Sequence, residues 1–562
     1  MKRTLALLMI LAMLLGLCAC GSTPASTAES TPQESVAAPA EETPEAPAAE
    51  APAAEPSTQE EASSQEPAPT ITYPLEQEYT FTMTAILRNN VLAMLGDDDF
   101  TVTSAYQGLE KGTGCSIEFN MLGEATAEEK TNIALAAGDM TDFYTNLGTY
   151  GTNQTGAVQD GILFDLAPYL PEFAPDYQAL LDSDEELRAG ATNPDGTVTV
   201  FVSQAADVVS KGIVIRQDWL DKLGMDVPTN REALEEVLKR FQNEMGATMP
   251  ILVNNGLESG LSASFNVPFA GLRSVDFMLT EPNGTETVAC FASENFIDYL
   301  LYLNHLYNEG YITDDFMSTG REFGNWESSY YSGKCGVWSD GFRELDPANR
   351  SNADDPNYKI SPFALTDYEC HVAERSTASM DGMIFVTTAC QEPELAISFI
   401  NYCYTEEGRR NGLYGMEGDG YTLEDGKVVL TENITNNPNG WTVNNALTWY
   451  GGGQWMPTCQ DMGYYEAICA PESLEGVSYW TEAFGDKTMK LPSGVSLTTD
   501  GNHEFNELAG DVLTLFSESA VRVVTGDLDE QGYREAIENA NSMGLTRMTE
   551  LYQEALDAYL AG

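Results

Sequence analysis

The chain has 562 residues, and its 27 Lys and Arg residues against 87 Asp and Glu residues give a formal net charge of −60. Because nucleic-acid binding needs a cationic surface that displaces the counterions of the phosphates, this balance excludes duplex and single-strand binding. The 43% hydrophobic and 10% aromatic content is typical of a folded protein, so the chain as a whole is not a solvated polyelectrolyte.

Residues 1–19 predict an export signal. Lys2 and Arg3 precede an uncharged run that is too short to cross a bilayer as a helix. The run ends in Leu17-Cys18-Ala19-Cys20, which resembles the lipobox of bacterial lipoproteins and so implies cleavage before Cys20 and attachment of lipid to it. The alternative is an ordinary secretory peptide that contains two cysteines by chance. We therefore expect a protein on the extracellular face of the cell membrane, anchored through Cys20.

The next segment, residues 20–75, predicts a disordered, flexible tether. Residues 21–75 contain ten Glu, no Lys or Arg and few large apolar side chains, so they cannot bury enough surface to offset the entropy of the chain. Without these ten acids and the two signal-peptide cations, 25 basic and 77 acidic residues remain from residue 76 onward. Most of the acidity therefore belongs to the folded body, where solvated acidic faces explain it.

The body alternates predicted strands and helices. In chain order we predict strands at 79–87, 115–121, 143–145, 198–202, 212–215 and 334–337, and helices at 105–111, 127–137, 295–308, 391–404 and 535–559. Asp218 caps a short helix that ends at Gly224, and Thr229 with Glu232 forms the capping box of the next helix. Glu424-Asp425-Gly426 is the turn of a hairpin. Strands and helices that alternate with Gly turns predict an α/β protein.

Short motifs follow one another in a characteristic order along this body. They are residues 107–114 (QGLEKGTG), 128–142 (EEKTNIALAAGDMTD), 160–166 (DGILFDL) with 169–171 (YLP), 216–229 (RQDWLDKLGMDVPT), 307–312 (YNEGYI), 333–338 (GKCGVW), 396–408, 414–418 (YGMEG) and 543–545. Together they resemble the extracellular solute-binding proteins, family 1, of ABC import systems, in the branch associated with oligosaccharide or aldouronate import. The resemblance runs through residues 79–560 and rests on the order of the motifs more than on any one of them.

The resemblance implies a two-lobed, periplasmic-binding-protein-like α/β fold, in which each lobe is a sheet flanked by helices and the ligand cleft lies at the hinge. We expect residues 76–206 and 365–412 to form lobe 1, and residues 207–364 and 413–562 to form lobe 2, with crossings near 203–211 and 360–364. Hinge closure would trap a solute, which we expect to be an oligosaccharide, for delivery to an ABC permease in the membrane. The resemblance implies no catalysis and no cofactor, and we expect a monomer.

The motifs of this sequence indicate neither a catalytic site nor a metal site. The three histidines, His305, His371 and His503, show no metal-ligand spacing, and we find no nucleophile elbow, phosphate loop or dinucleotide fingerprint. Acidic residues are so abundant that a chance carboxylate pair carries no information about glycoside hydrolysis. Eight cysteines follow the first two without a C-x-x-C pair, and we assign no disulfide among them.

One segment, from Asp527 to Glu538, resembles an EF-hand calcium loop. Gln531 at the fifth position and Arg534 at the eighth depart from that pattern. We therefore expect no metal, and a polar turn that enters a helix is the alternative interpretation.

Aromatic and polar residues provide the candidate binding site. Sugars present apolar ring faces that stack on aromatic side chains and hydroxyl edges that need charged or amide partners. Three groups of residues fit this chemistry: Trp338, Asp340 and Arg343 after a predicted strand; Trp449, Tyr450 and Trp455 around a glycine run; and Arg88, Asn89, Tyr144, Asn146 and Asp381, at positions where the resemblance implies polar contacts. For Trp338 and for the glycine-run aromatics, packing is the alternative. Arg88 and Arg343 are the first candidates to bind an anionic ligand.

Two other functions compete with oligosaccharide binding. The same fold binds peptides and other polar solutes, because the resemblance fixes the transport role better than it fixes the solute. A secreted carbohydrate-active enzyme is the alternative from a different functional class. An oligosaccharide that binds and is recovered uncleaved would distinguish an oligosaccharide-binding protein from an enzyme.

Overall fold

The computed structural model describes residues 71–150, 154–254, 256–268, 277–318, 331–345, 355–373, 375 and 377–561. The predicted signal peptide, Cys20 and nearly all of the predicted tether lie outside these residues. Within the described ranges, every helix is too short or too polar to cross a membrane.

The described part of the chain consists of alternating strands and helices. The strands are β1 (Tyr79–Leu87), β2 (Cys115–Gly123), β3 (Phe143–Tyr144), β4 (Val200–Gln204), β5 (Lys211–Arg216), β6 (Met249–Ile251), β7 (Met278–Thr280), β8 (Thr287–Ala289), β9 (Cys335–Gly341), β10 (Ile360–Phe363), β11 (Ala378–Val386), β12 (Tyr421–Glu424) and β13 (Lys427–Leu430). The helices of the first half are α1 (Asn89–Leu95), α2 (Ser104–Thr113), α3 (Glu124–Ala137), α4 (Gln154–Gln159), α5 (Leu170–Phe173), α6 (Pro175–Ser183), α7 (Glu185–Ala191), α8 (Gln217–Leu223), α9 (Arg231–Glu244) and α10 (Glu294–Asn308).

The second half of the chain is mainly helical. Its helices are α11 (Pro393–Asn401), α12 (Glu406–Tyr414), α13 (Glu432–Thr435), α14 (Val443–Tyr450), α15 (Met462–Ile468), α16 (Pro471–Ala483), α17 (Thr499–Thr525), α18 (Glu530–Met543) and α19 (Leu545–Ala561). The single helix predicted at 535–559 is therefore two helices. Gly544 separates them with a φ of 123°, a backbone conformation that residues with a Cβ rarely adopt.

The first lobe is built on a five-stranded sheet of order β2-β1-β3-β11-β4. β1, β2 and β3 run parallel, and β11 is antiparallel to both β3 and β4, so the sheet is mixed. Side chains of β1 such as Phe81, Met83 and Ala85 are fully buried in a core that α2, α6 and α11 also line. The predicted α/β character is confirmed, with an antiparallel strand inserted in the otherwise parallel sheet.

The second lobe has a four-stranded sheet of order β10-β5-β9-β6. β5 is antiparallel to both of its neighbours, whereas β6 and β9 are parallel. α9 packs on this sheet because Leu234, Val237, Leu238 and Phe241 recur at helical spacing and are all buried. Its N-cap is Asn230, whose side chain accepts a hydrogen bond from the backbone N–H of Ala233, so the cap lies one residue later than predicted.

The chain crosses between the lobes at several segments. Residues 205–210 join β4 to β5, and residues 364–377 join β10 to β11, so the second connection follows β10 instead of coinciding with it. The third connection carries Thr458 and Gln460 and runs beside Gln204. The backbone N–H of Gln204 donates to the Thr458 carbonyl, and the Gln204 carbonyl accepts from the Gln460 N–H, each at 2.8 Å.

The path of this third connection changes the expected division of the lobes. Trp455, Met456 and Cys459, which we assigned to lobe 2, are buried in the core of the first lobe. They reach it because the chain returns to the first sheet before it enters α15.

Candidate functional site

The two lobes are joined at one edge of each sheet. In the first sheet this edge holds the carboxyl ends of β1, β2, β3 and β4 and the beginning of β11, because β11 alone runs in the opposite direction. The chain leaves this edge after Gln204 and returns to it at Ala378. Residues just beyond the strand ends, such as Arg88, Asn89 and Asn146, therefore lie on the side of the first lobe from which the connections depart.

The second sheet receives the connections at a corresponding edge. Lys211, the first residue of β5, pairs with Gly341 at the end of β9, and Ile213 pairs with Phe363 at the end of β10. Asp340 and Arg343 lie at this edge, Arg343 in the short 3-10 helix Phe342–Leu345. Five of the predicted polar residues thus lie at the two edges that the connections join. We take the region between these edges as the candidate site.

The polar side chains of the first edge are accessible. Arg88 and Asn89 are exposed at the start of α1, where Arg88 is the N-cap residue with extended backbone angles. Asn146 is also exposed, and its Oδ1 accepts a hydrogen bond of 2.7 Å from the Gly148 N–H. That bond leaves the amide nitrogen of Asn146 oriented by the turn, as a donor suited to a hydroxyl group.

The polar side chains of the second edge are partly buried and held by neighbours. Asp340 accepts a bond of 2.7 Å from the Gly341 N–H. Arg343 donates to the Tyr464 hydroxyl at 3.1 Å, which links the edge to α15. Burial raises the pKa of the Tyr464 phenol, so it remains a neutral hydrogen-bonding group. A charged group held in this way is preorganised for a ligand.

Asp381 lies in β11, and its side chain is outside the described part. The strand is irregular here, because its register with β4 shifts between Ser379 and Ile384. Gly382 has a φ of +70°, and a Cβ at this position would lie 2.2 Å from the Met456 carbonyl oxygen. The irregularity therefore accommodates the close approach of the third connection.

Three of the predicted aromatic residues lie in hydrophobic cores. Trp338 and Trp455 have 0% exposure, and Tyr144 has 1%. Trp455 packs against Phe100 and Phe119, with ring centroids 5.7 and 5.4 Å away, and Trp338 belongs to the core of the second lobe. A stacking platform must present a ring face, so in this structure these three residues pack instead of presenting a sugar-binding surface. For the two tryptophans this is the alternative that the sequence left open.

Trp449 and Tyr450 are different, because both are only partly buried at the end of α14. The Trp449 ring lies 5.4 Å from the ring of Trp441, which is also partly exposed. α14 contacts α1, the helix that begins at the first edge. Trp441 was not predicted, although its position directly after Asn439-Gly440 gives it the same turn context that drew attention to Trp449.

No group of three or more His, Cys, Asp or Glu side chains that could hold a metal occurs among the described residues. In the EF-hand-like segment, Asp529 caps α18 by accepting from the Gly532 N–H, and Arg534 forms bonds of 2.7 Å with both carboxylate oxygens of Glu294. Glu538 lies inside α18. These residues therefore start and anchor a helix, the alternative we gave for this segment. The eight described cysteines are all free thiols, and seven of them are buried.

Comparison with known proteins covers nearly all of the folded body. The alginate-binding protein AlgQ2 superimposes with a TM-score of 0.69 over 86% of this chain and 99% of its own, at 21% sequence identity. The chain has the solute-binding protein fold. The resemblance and the two-lobed fold predicted from the sequence are thereby confirmed, although no family model matches the chain.

Curated relatives agree with this solute-binding fold. Lipoprotein LipO of Bacillus subtilis is 23% identical over 471 residues, which cover 80% of this chain and 88% of LipO. The fructooligosaccharide ABC transporter substrate-binding protein FusA of Streptococcus pneumoniae is 28% identical over 182 residues, which cover 31% of this chain and 32% of FusA. The superposition of this chain on the structure of FusA in complex with kestose covers 99% of the FusA chain, with a TM-score of 0.66.

Proposed function

We propose that this chain is the substrate-binding lipoprotein of an ABC importer, that it captures an oligosaccharide between its lobes, and that it delivers the sugar to a membrane permease. The observation that carries the proposal is the placement of exposed polar side chains at the first of the two joined edges, and of partly buried ones at the second, in a solute-binding fold. The names of its relatives support the sugar assignment, since FusA is described as a fructooligosaccharide-binding protein and AlgQ2 as an alginate-binding protein.

The chemistry of the two edges suits a sugar. Arg88, Asn146 and Arg343 supply amide and charge-assisted hydrogen bonds for hydroxyl groups. The Trp441–Trp449 pair supplies aromatic surface near the first edge. Covering about 50 Å² of apolar sugar face contributes roughly 1.2 kcal/mol, whereas micromolar binding requires about 8 kcal/mol. An oligosaccharide that contacts several of these groups at once reaches that total, and a single sugar ring does not.

The proposal assigns no catalytic role to the chain. The support for this is the naming of its relative FusA as a substrate-binding protein. A peptide or another polar solute remains the alternative ligand, because amide and guanidinium donors also recognise peptide carbonyls.

Ligand screening tests the assignment. The full chain with Cys20→Ala is purified without lipid and screened by thermal shift against neutral oligosaccharides, uronate oligosaccharides and peptides, and mass spectrometry then identifies any ligand that co-purifies. We expect stabilisation by an oligosaccharide that is recovered intact. Cleavage of the sugar would favour the enzyme, and stabilisation by peptides alone would overturn the sugar assignment.

Cell fractionation tests the anchor. The wild-type chain should sediment with membranes, and Cys20→Ala should release it. Cys18→Ala is the matched control and should leave the protein in the membrane fraction. Membrane association of the Cys20→Ala variant would contradict attachment through Cys20.

A further inference from the structure

A cavity of ≈ 460 Å³ is lined in part by Tyr464, the residue that accepts a hydrogen bond from Arg343. Its walls are α12, the β12–β13 hairpin, the segment that carries Cys459 and Asp461, and α15. None of the candidate residues of the two joined edges lines it. Its volume falls within the range of small-molecule sites, which is about 300–1,000 Å³.

The charge of the cavity differs from that of the chain. Three cations line it, Arg409, Arg410 and Lys427, against the three acids Glu406, Asp461 and Glu466, whereas acids outnumber cations 87 to 27 in the whole chain. Two of the three acids have partners. Glu406 accepts a bond of 2.6 Å from Arg410, and Asp461 caps α15 by accepting from the Tyr464 N–H at 3.0 Å. The formal charges of the cavity lining therefore balance, whereas the chain as a whole carries −60.

Arg409 is the central feature of the cavity. Its Nε donates to the Tyr404 carbonyl at 2.9 Å, which fixes the plane of the guanidinium. Within the described ranges, Arg409 forms no ion pair, and its two terminal nitrogens make no hydrogen bond. Its side chain is half-buried beside Cys459. A fixed guanidinium with both terminal nitrogens available is a bidentate receptor for a carboxylate.

Two further features match a small organic anion. Lys427, on the exposed hairpin, adds a second cation without an ion-pair partner among the described residues. Tyr414 and Tyr464 contribute ring surface to the walls, and burial raises the pKa of both phenols, so neither competes with an anion by ionising. Aromatic walls beside a cationic group are the surroundings that a sugar ring with a carboxylate requires.

We propose that this cavity is a second ligand site, separate from the oligosaccharide site, which binds a small carboxylate-bearing molecule of the sugar-acid class. The carboxylate bonds to the terminal nitrogens of Arg409, Lys427 adds charge at the rim, and the ring of the ligand lies against the tyrosine walls. The proposal does not depend on the identity of the oligosaccharide, although Tyr464, which lines the cavity, also accepts the hydrogen bond from Arg343 at the second edge.

Calorimetry on the full chain with Cys20→Ala tests the proposal with galacturonate, galactose and acetate as probes. We expect galacturonate to bind at least tenfold more tightly than galactose, because only the former carries the carboxylate. If acetate binds as well as galacturonate, the site recognises the carboxylate alone, which would overturn the assignment to the sugar-acid class. Equal binding of galactose and galacturonate would overturn the proposal.

Variants locate the site. Arg409→Gln should weaken galacturonate binding at least tenfold, and Lys427→Gln should weaken it severalfold. Because Arg409→Gln also removes the bond to Tyr404, Lys427→Gln on the exposed hairpin provides a second variant with no such structural role. Arg522→Gln is the control, since Arg522 is an exposed cation on α17, which does not line the cavity.

Two results would contradict the placement of the galacturonate site in this cavity. One is galacturonate binding that is unchanged in both cavity variants, and the other is an equal loss in Arg522→Gln. Trp449→Ala separates this proposal from the proposed function, because it should weaken oligosaccharide binding and leave galacturonate binding unchanged. Loss of galacturonate binding in Trp449→Ala would place the anion in the oligosaccharide site and contradict a second site.

Discussion

Two tryptophans that look alike in the sequence occupy opposite environments in the fold. Trp338 lies in β9, opposite Val214 of β5, and is fully buried in the core of the second lobe. Trp449 lies at the end of the short helix α14, partly exposed and 5.4 Å from Trp441. The difference teaches that a tryptophan after a polar turn becomes a binding surface only where the fold leaves a ring face accessible. We therefore expect Trp338 to contribute to stability and Trp449 to contribute to ligand affinity.

Trp338→Ala tests the first half of this comparison and should have the largest effect. Removing a fully buried tryptophan leaves a cavity, so we expect the free energy of unfolding to fall by about 3–5 kcal/mol. Urea unfolding measures it, and Trp338→Phe, which retains most of the packing, should cost less. The folded fraction should bind oligosaccharide as the wild-type chain does. A weaker affinity at unchanged stability would reverse the assignment.

Trp449→Ala tests the second half. Loss of one stacking face should weaken oligosaccharide binding by about 1–2 kcal/mol, whereas the unfolding free energy should change by about 1 kcal/mol or less. Isothermal calorimetry and urea unfolding measure the two quantities. Tyr479→Ala is the control, because Tyr479 is a 38% exposed aromatic residue on a helix of the second lobe. Equal affinity in both variants would remove Trp449 from the site.

The contrast also shows what the sequence could predict. Strand ends are local features, since the alternation of β1 stops at Leu87 and the polar residues Arg88, Glu124 and Thr145 follow β1, β2 and β3. The exposed candidates Arg88, Asn89 and Asn146 lie just beyond strand ends, and their contact with a ligand stays a prediction. The fold could be predicted from the order of the motifs, because each motif corresponds to a local turn or cap.

Aromatic burial could not be predicted in the same way, because it depends on partners far away in the chain. Trp455 packs against Phe100 and Phe119, more than 300 residues earlier. The third connection depends on bonds such as the one from the Thr458 N–H to the Ser203 hydroxyl, across 255 residues. A glycine run indicates that the chain turns but not which lobe it packs on. The division near residue 413 therefore placed Trp455 in the second lobe.

Arg343→Gln sharpens the comparison within one segment. Arg343 lies only five residues after Trp338, but at the joined edge of the sheet instead of inside the core. We expect oligosaccharide affinity to fall by about 1 kcal/mol, because a charge-assisted hydrogen bond becomes a neutral one, with little loss of stability. Tyr464→Phe is the matched variant, since it removes the hydroxyl that holds Arg343 and keeps the ring. A larger effect on stability than on affinity would assign Arg343 to packing, like Trp338.

The smallest effect should come from a contact that joins the lobes away from both tryptophans. Lys487, in the second lobe, donates a bond of 2.5 Å to Glu186 of α7 in the first lobe, and both side chains are partly exposed. Such pairs contribute about 0–1 kcal/mol, so Lys487→Met should lower the unfolding free energy by less than 1 kcal/mol, and about 1 M salt should abolish the difference. A double-mutant cycle with Glu186→Gln isolates the pair. If Lys487→Met instead weakened oligosaccharide binding more than Trp449→Ala does, the contact between the lobes, and not the aromatic surface, would control affinity.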